Sequence, residues 1–216
     1  MYVPELFHVT DRDELHALMR ARPFATLVSA GPSGLLGTHL PTVLKPDDGA
    51  LGSIECHVAR ANPHWKDFSD GLDALMIFQG AEAYIRPSWY PSKARHGKVV
   101  PTWNYATVHA YGRARTVEDR SWLVRHVSEL TDQQERGEQT PWATSDAPPD
   151  FIETMVKGIV GIRFEITRLE GKWKMSQNRD ATDRAGTVSG LRARSEGEDS
   201  EVADLVQEST SKLPRQ

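Results

Sequence analysis

The chain contains a single cysteine, Cys56, in 216 residues. A disulfide framework within the chain is excluded, because a bridge needs a second thiol. No apolar run approaches the roughly 20 residues that a membrane helix requires. The first segment carries Glu5 and Asp11 and no apolar core, so no secretory signal is expected. Gly-rich phosphate loops, HExxH pairs, zinc-finger Cys/His spacings and a GxSxG elbow are all missing. No metal-ligand set is therefore assigned. An excess of basic charge is also missing: 26 Lys and Arg stand against 30 Asp and Glu, for a net charge of −4. With no basic arm and no clear helix-turn-helix pattern, that balance argues against a broad nucleic-acid surface. Hydrophobic residues at 38% and charged residues at 26% suit a globular chain with one full core, and a cytoplasmic location is expected. Cys56 beside His57 has two readings, a reactive thiol or a small buried side chain in an apolar strand. The second is the ordinary state of a free cysteine.

Against this acidic background, the stretch Ala83–Val117 holds six Lys and Arg, six Trp and Tyr, and no Asp or Glu. Cations and hydroxyls bind phosphate, and flat aromatics pack against planar rings. A strand pair with a solvated basic loop would have the same composition.

Punctuation along the chain points to many short strands. Asp11 with Glu14, and Thr10 with Asp13, have capping-box spacing ahead of a helix over about 11–21, which Pro23 closes. Phe24–Ser29 and Leu36–Pro41 read as a hairpin across Gly31-Pro32-Ser33-Gly34, with Thr42–Lys45 continuing after a bend. Ala50–His57 reads as the next strand, and Asn62-Pro63 as an N-cap followed by the first residue of a short helix. Ala74–Phe78 and Glu82–Ile85 read as a strand pair around Gly80. Ala106–Thr116 follows as a long strand, then helices over Glu118–Glu129 and Phe151–Ile159. Val160–Leu169 reads as the last barrel strand, turned at Glu170-Gly171 into Trp173–Ser176. The pattern predicts a mainly β (α+β) fold, a small antiparallel barrel with peripheral helices. Residues 1–191 are expected as one domain. Residues 192–216, rich in Ser, Glu and Asp, are expected as a mobile polar tail.

Several motifs occur in a fixed order: Met1-Tyr2-Val3-Pro4, Pro23-Phe24-Ala25-Thr26-Leu27, Thr38-His39-Leu40-Pro41, His57-Val58-Ala59-Arg60-Ala61-Asn62-Pro63, Ser88-Trp89-Tyr90-Pro91-Ser92-Lys93, Val100-Pro101-Thr102-Trp103-Asn104-Tyr105 and Lys174-Met175-Ser176-Gln177-Asn178-Arg179. This set resembles the PaiB-like family of FMN-binding negative transcriptional regulators, over roughly residues 1–192. The resemblance implies a six-stranded antiparallel split β-barrel, FMN as cofactor and a homodimer. DNA is a partner by family analogy only, and no membrane partner is implied.

Site residues can be placed within that frame. Arg60 and Asn62, at a strand-to-helix corner, are expected at the flavin phosphate, since amides at a helix start favour anions. His57 and Asn62 satisfying the corner's own backbone is the structural alternative. His39 is expected along the pyrimidine side, where an imidazole pairs with a ring carbonyl or N3–H. A satisfied barrel histidine is its alternative. Ser88 and Lys93 are read as hydroxyl and point charge for phosphate. Trp89 and Trp103 are read as ring cover, core or dimer contact, and Asn104 as a ring-edge partner. Lys174 and Gln177 are expected to reach the flavin of the other subunit, where a cation raises the flavin's potential. Three functions stay open: a repressor or flavin/redox sensor, an FMN-dependent oxidoreductase of the flavin reductase type, and a haem-binding protein.

Overall fold

In the computed structural model, residues 1–211 are described. Seven strands form one sheet: β1 (His8–Val9), β2 (Phe24–Gly31), β3 (Gly34–Lys45), β4 (Ser53–Ala59), β5 (Leu72–Ile85), β6 (Thr102–Val117) and β7 (Ile159–Lys174). Their order is β1-β7-β4-β3-β2-β5-β6, and β6 also pairs with β7. The pairing thus returns on itself through six strands, with β1 attached outside the ring. Closure of this kind leaves few exposed ladder groups. The helices are α1 (Arg12–Ala21), α2 (Ser92–His96), α3 (Arg120–Gln134), α4 (Pro149–Lys157), α5 (Ala181–Arg194) and α6 (Asp199–Ser211).

The chain divides into two compact units. The larger comprises Asp11–Phe78 and His109–Leu169. Its first helix begins at Asp11, whose carboxylate accepts from the Glu14 amide at 2.9 Å, and it buries Leu15 and Met19. The β2–β3 hairpin turns through Pro32-Ser33, with Gly31 opposite Gly34. Gly34 takes φ +91°, a conformation open mainly to glycine. Strand β4 alternates faces. Ile54, Cys56 and Val58 are buried, and the Cys56 thiol lies 3.8 Å from the Ile162 carbonyl. Burial pushes that thiol's pKa up, so it does not present a thiolate. The core reading of Cys56 stands.

The smaller unit comprises Met1–Thr10, Gln79–Val108 and the chain from Glu170. Here the aromatic residue Trp89 and helix α5 fit by size. A Cβ added at Gly190 would lie 2.2–2.5 Å from Trp89 ring atoms, and one at Gly186 would lie 2.0 Å from the Trp89 carbonyl oxygen. Two glycines one turn apart therefore make the groove that receives Trp89. The Arg194 guanidinium covers the same ring at 5.0 Å.

The structure corrects four expectations. β3 runs unbroken through Pro41 to Lys45. β5 is one strand, not two around Gly80. β7 does not turn at Gly171, because β1 pairs there, with His8 opposite Lys172 and Val9 opposite Gly171. Residues 192–211 are the end of α5 and helix α6 rather than a tail. Val202, Ala203 and Val206 are fully buried, and Arg194 forms a two-pronged pair with Asp199, at 2.6 Å for its Nε. Apolar spacing and one buried ion pair outweigh the polar composition. The remainder of that expectation, 212–216, lies outside the described residues.

Gly190→Ala is expected to destabilise the protein. Overpacking costs about 1–3 kcal/mol, against about 1 kcal/mol gained from helix propensity. Gly37→Ala meets no atom within 4 Å and should stay within about 0.5 kcal/mol of wild type. Urea unfolding of both variants checks this, and equal stabilities would refute the groove.

Candidate functional site

In the larger unit, the end of β4 leads into the corner that holds Arg60 and Asn62. Asn62 caps the 3-10 turn Pro63–Phe68, accepting from the His64 amide at 3.0 Å. Its amide nitrogen donates to Thr38 Oγ1 at 3.3 Å. Thr38 Oγ1 also bonds His64 Nδ1 at 2.8 Å, and His64 Nε2 bonds Ser29 Oγ at 2.8 Å. His64 is buried, and burial lowers its pKa. A neutral imidazole thus pins β2, β3 and the corner together. Sequence reasoning did not place Ser29 or His64 at this corner, weighing His64 only as a haem ligand, and passed over Thr38 for its neighbour His39. The available signal was that Thr38 and His64 both sit within or beside the quoted motifs.

Arg60 is exposed and already engaged. It donates to the carbonyls of Lys157 at 3.1 Å and Ile159 at 3.2 Å, and pairs with Glu118 at 2.7 Å. Two of its five N–H groups remain for a ligand. His39 is exposed as well, with Nδ1 bonded to Thr26 Oγ1 at 2.9 Å, and it stacks on Phe24. Its Nε2 has no protein partner among the described residues.

His57 does not join this group. It lies on the opposite face of β4 from Cys56, and its Nδ1 bonds His126 Nε2 at 3.0 Å. His126, on α3, is fully buried. Its Nδ1 lies 4.0 Å from Glu55, whose carboxylate is also approached by Arg125 at 3.2 Å and Lys45 at 3.8 Å.

In the smaller unit, Ser88 and Lys93 lie on the 3-10 turn Pro87–Trp89 and on α2. Both are exposed and have no side-chain partner among the described residues. Their neighbour Ser92 anchors α2, donating to buried Asp183 from its amide at 3.0 Å and its hydroxyl at 2.6 Å. Trp89 packs against α5, as described above. Trp103 is 50% exposed and meets Tyr84 edge-on at 5.8 Å, which forms an open aromatic platform. Asn104 is fully buried and exchanges hydrogen bonds with Ser176 at 3.0 and 3.2 Å. Ser176 has φ +60°, so this pair holds a left-handed residue in the turn after β7. Gln177 locks the same turn, donating to the Trp173 carbonyl and accepting from the Met175 amide. Lys174 donates to the Trp103 carbonyl at 2.7 Å and to Thr102 Oγ1. One of its three N–H groups is left. Partial burial, then Lys172 and Arg179, lower its pKa.

This inventory fits a flavin mononucleotide chemically. In the larger unit, the two remaining N–H groups of Arg60 suit an anion and His39 suits a ring-edge atom. In the smaller unit, Lys93 and Ser88 suit a phosphate, the Trp103 platform a ring face and Lys174 a ring-edge atom.

The buried His126 makes stability depend on pH. Burial first, then the positive neighbours His57, Lys45 and Arg125, push its pKa down to about 3. The unfolded chain takes up this proton near pH 6.5, the folded chain only near 3. Stability therefore falls as pH drops below 6.5, by at most about 1.4 kcal/mol per pH unit from this group. His126→Phe is expected to flatten the slope between pH 6.5 and 4.5 in urea unfolding. An unchanged slope would exclude His126 as its source.

Comparison with known proteins identifies the family. The family model described as "Putative FMN-binding domain" matches residues 1–168. Protease synthase and sporulation protein PAI 2 of Bacillus subtilis is 32% identical over 213 residues, covering 98% of this chain and 99% of that protein. An uncharacterised protein of Emericella nidulans is 34% identical over 229 residues, covering 90% of this chain and 91% of that protein. Among solved structures, the flavocytochrome Anf3 from Azotobacter vinelandii matches with TM-score 0.59 at 14% identity, over 85% of this chain and 78% of that chain. The FAD and heme binding protein from Mycobacterium smegmatis matches with TM-score 0.56 at 13% identity, over 82% of this chain and 78% of that chain. At such identities the likeness is one of fold. The chain belongs to the FMN-binding family shared with the Bacillus PAI 2 protein, a PaiB-like family of split-barrel flavoproteins.

Proposed function

We propose that the protein works through its flavin, as a cytoplasmic homodimer carrying one FMN per subunit, and senses flavin or redox state rather than reading DNA itself. When bound, FMN supplies reversible hydride and electron transfer. The chain's own residues hold and orient it. In the larger unit, the unused N–H groups of Arg60 would serve an anion. In the smaller unit, Lys93 would neutralise part of the phosphate charge and Ser88 would hydrogen-bond it, Trp103 would cover a ring face, and Lys174 would place a positive charge at the ring edge. The turn locked by Asn104, Ser176 and Gln177 fixes Lys174 for that role.

The observation that carries the reading is the charge of α6. The α5–α6 pair is the natural place to look for a DNA-reading element near the end of the chain. Yet α6 carries Glu201, Asp204 and Glu208 beside the buried Asp199, and no Lys or Arg from Asp199 to Ser211. The nearby cations are paired, Arg192 with Asp204, with a further hydrogen bond to Gln207, and Arg194 with Asp199. Such a helix offers a phosphate backbone no cation of its own. The oxidoreductase reading shares the same flavin contacts, and turnover of a nicotinamide with FMN-loaded protein would favour it over the sensor.

Two experiments test the proposal. Titration with FMN and riboflavin, followed by flavin fluorescence and sedimentation, should give two FMN per dimer. Lys93→Ala and Arg60→Ala should each weaken FMN about tenfold to a hundredfold more than riboflavin, which lacks the phosphate. Equal losses would remove both residues from the phosphate. In the second, promoter DNA is titrated against scrambled competitor at near-physiological salt. Only weak, competitor-sensitive binding is expected. A nanomolar complex that resists competitor would restore direct repression.

A further inference from the structure

His57 belongs to the quoted motifs but faces away from the Asn62 corner, and the flavin site leaves it without a task. It lines a cavity of about 250 Å³ in the larger unit, beside α3 and α4. The other walls include Val127, Ile152, Met155 and Val156, with Trp142 and Phe151 at a partly exposed rim. A dry apolar cavity of about 150 Å³ is enough to hold benzene. This one has room for a single ring with a small substituent.

Thr131 and Thr144 also line the cavity, but their hydroxyls are engaged with the Val127 carbonyl and with Ser128 Oγ. The remaining polar side chain, His57, has a defined sense. Glu55 Oε2 is buried 4.0 Å from His126 Nδ1, too far for a hydrogen bond, with Lys45 Nζ 3.8 Å away on the same oxygen. Neither Glu55 Oε2 nor His126 Nδ1 has a hydrogen-bond partner among the described residues. The negative charge still acts across that gap. The carboxylate favours the proton on that nitrogen. His126 Nε2 is then bare and accepts from His57 Nδ1–H across 3.0 Å. His57, kept neutral by burial, is left with a bare Nε2, a hydrogen-bond acceptor. The set is not a metal centre: among the described residues, no three His, Cys, Asp or Glu side chains gather to hold an ion.

We propose that this cavity is a second small-molecule site, which takes a monocyclic phenol with its ring among the apolar walls and its hydroxyl donating to His57 Nε2. The polarity of the relay selects the class. A phenol offers a donor to an acceptor, an aryl ether offers none, and an aryl carboxylate brings a charge that a neutral acceptor cannot match.

Isothermal titration calorimetry of the FMN-loaded protein with phenol, anisole and benzoate tests this. Phenol should bind saturably, one per subunit, with anisole and benzoate about tenfold weaker or worse, the worth of one lost hydrogen bond. Met155→Trp, which fills the cavity from its half-exposed rim, should abolish phenol binding while the FMN titration is unchanged. Ile152→Trp gives the same test from a second wall if the first variant fails to fold. No saturable phenol binding, equal affinity for anisole, a preference for benzoate, or phenol binding that survives the filled cavity would each overturn the proposal.

Discussion

The pleat of β4 separates the chemistry of this molecule into two. Side chains along a strand alternate faces, and on β4 the alternation puts Ile54, Cys56 and Val58 in the core and Glu55 and His57 beneath α3. A single-residue slip would bury the carboxylate and imidazole in the apolar core and push the thiol out under α3. Pairing with β7, Cys56 opposite Ile162 and His57 opposite Gly161, prevents this slip. Only where the strand ends, at Arg60, is the chain free to turn and expose polar groups. The alternation therefore explains why two residues of one seven-residue motif, His57 and Asn62, serve different places.

Much of the fold was legible because its signals are local. The Asp11 cap, the Pro32-Ser33 hairpin and the Asn62-Pro63 helix start each depend on neighbours within four residues, and each occurs as read. The failures have non-local causes. Gly80 and Gly171 look like breaks in isolation, but both lie inside long strands, Gly171 opposite Val9. The end of the chain reads as a tail because Ser, Glu and Asp dominate it. Its order comes from three small apolar side chains and from Arg194, whose partners Asp199 and the Tyr84 carbonyl lie 5 and 110 residues away.

The candidate site shows the same division. Residue type marked out the polar groups, but only the structure shows which are already occupied. Asn104, expected at a ring edge, is satisfied by Ser176, 72 residues along the chain. Gln177, expected to reach across to a partner subunit, is folded back on its own turn. Trp89, weighed as a flavin cover, fills the glycine groove of α5. None of these pairings leaves a mark in local composition.

The acid-free stretch Ala83–Val117 is best understood by following its cations. Arg86 lies 5.8 Å from the Trp89 ring centre. Arg95 pairs with Asp180 at 2.8 Å, and Arg113 donates to the carbonyls of Asp70 and Gly71. Arg115 lies beside Gly71. Lys93 and Lys98 are left with side chains uncommitted. Two lysines neutralise a phosphate monoester, whose charge is at most two, but they are too few to follow a nucleic-acid backbone, where affinity grows with each phosphate neutralised. In the sequence this stretch reads either as a phosphate-and-ring site or as a solvated basic loop; in the structure its two uncommitted lysines match the charge of one small phosphate group.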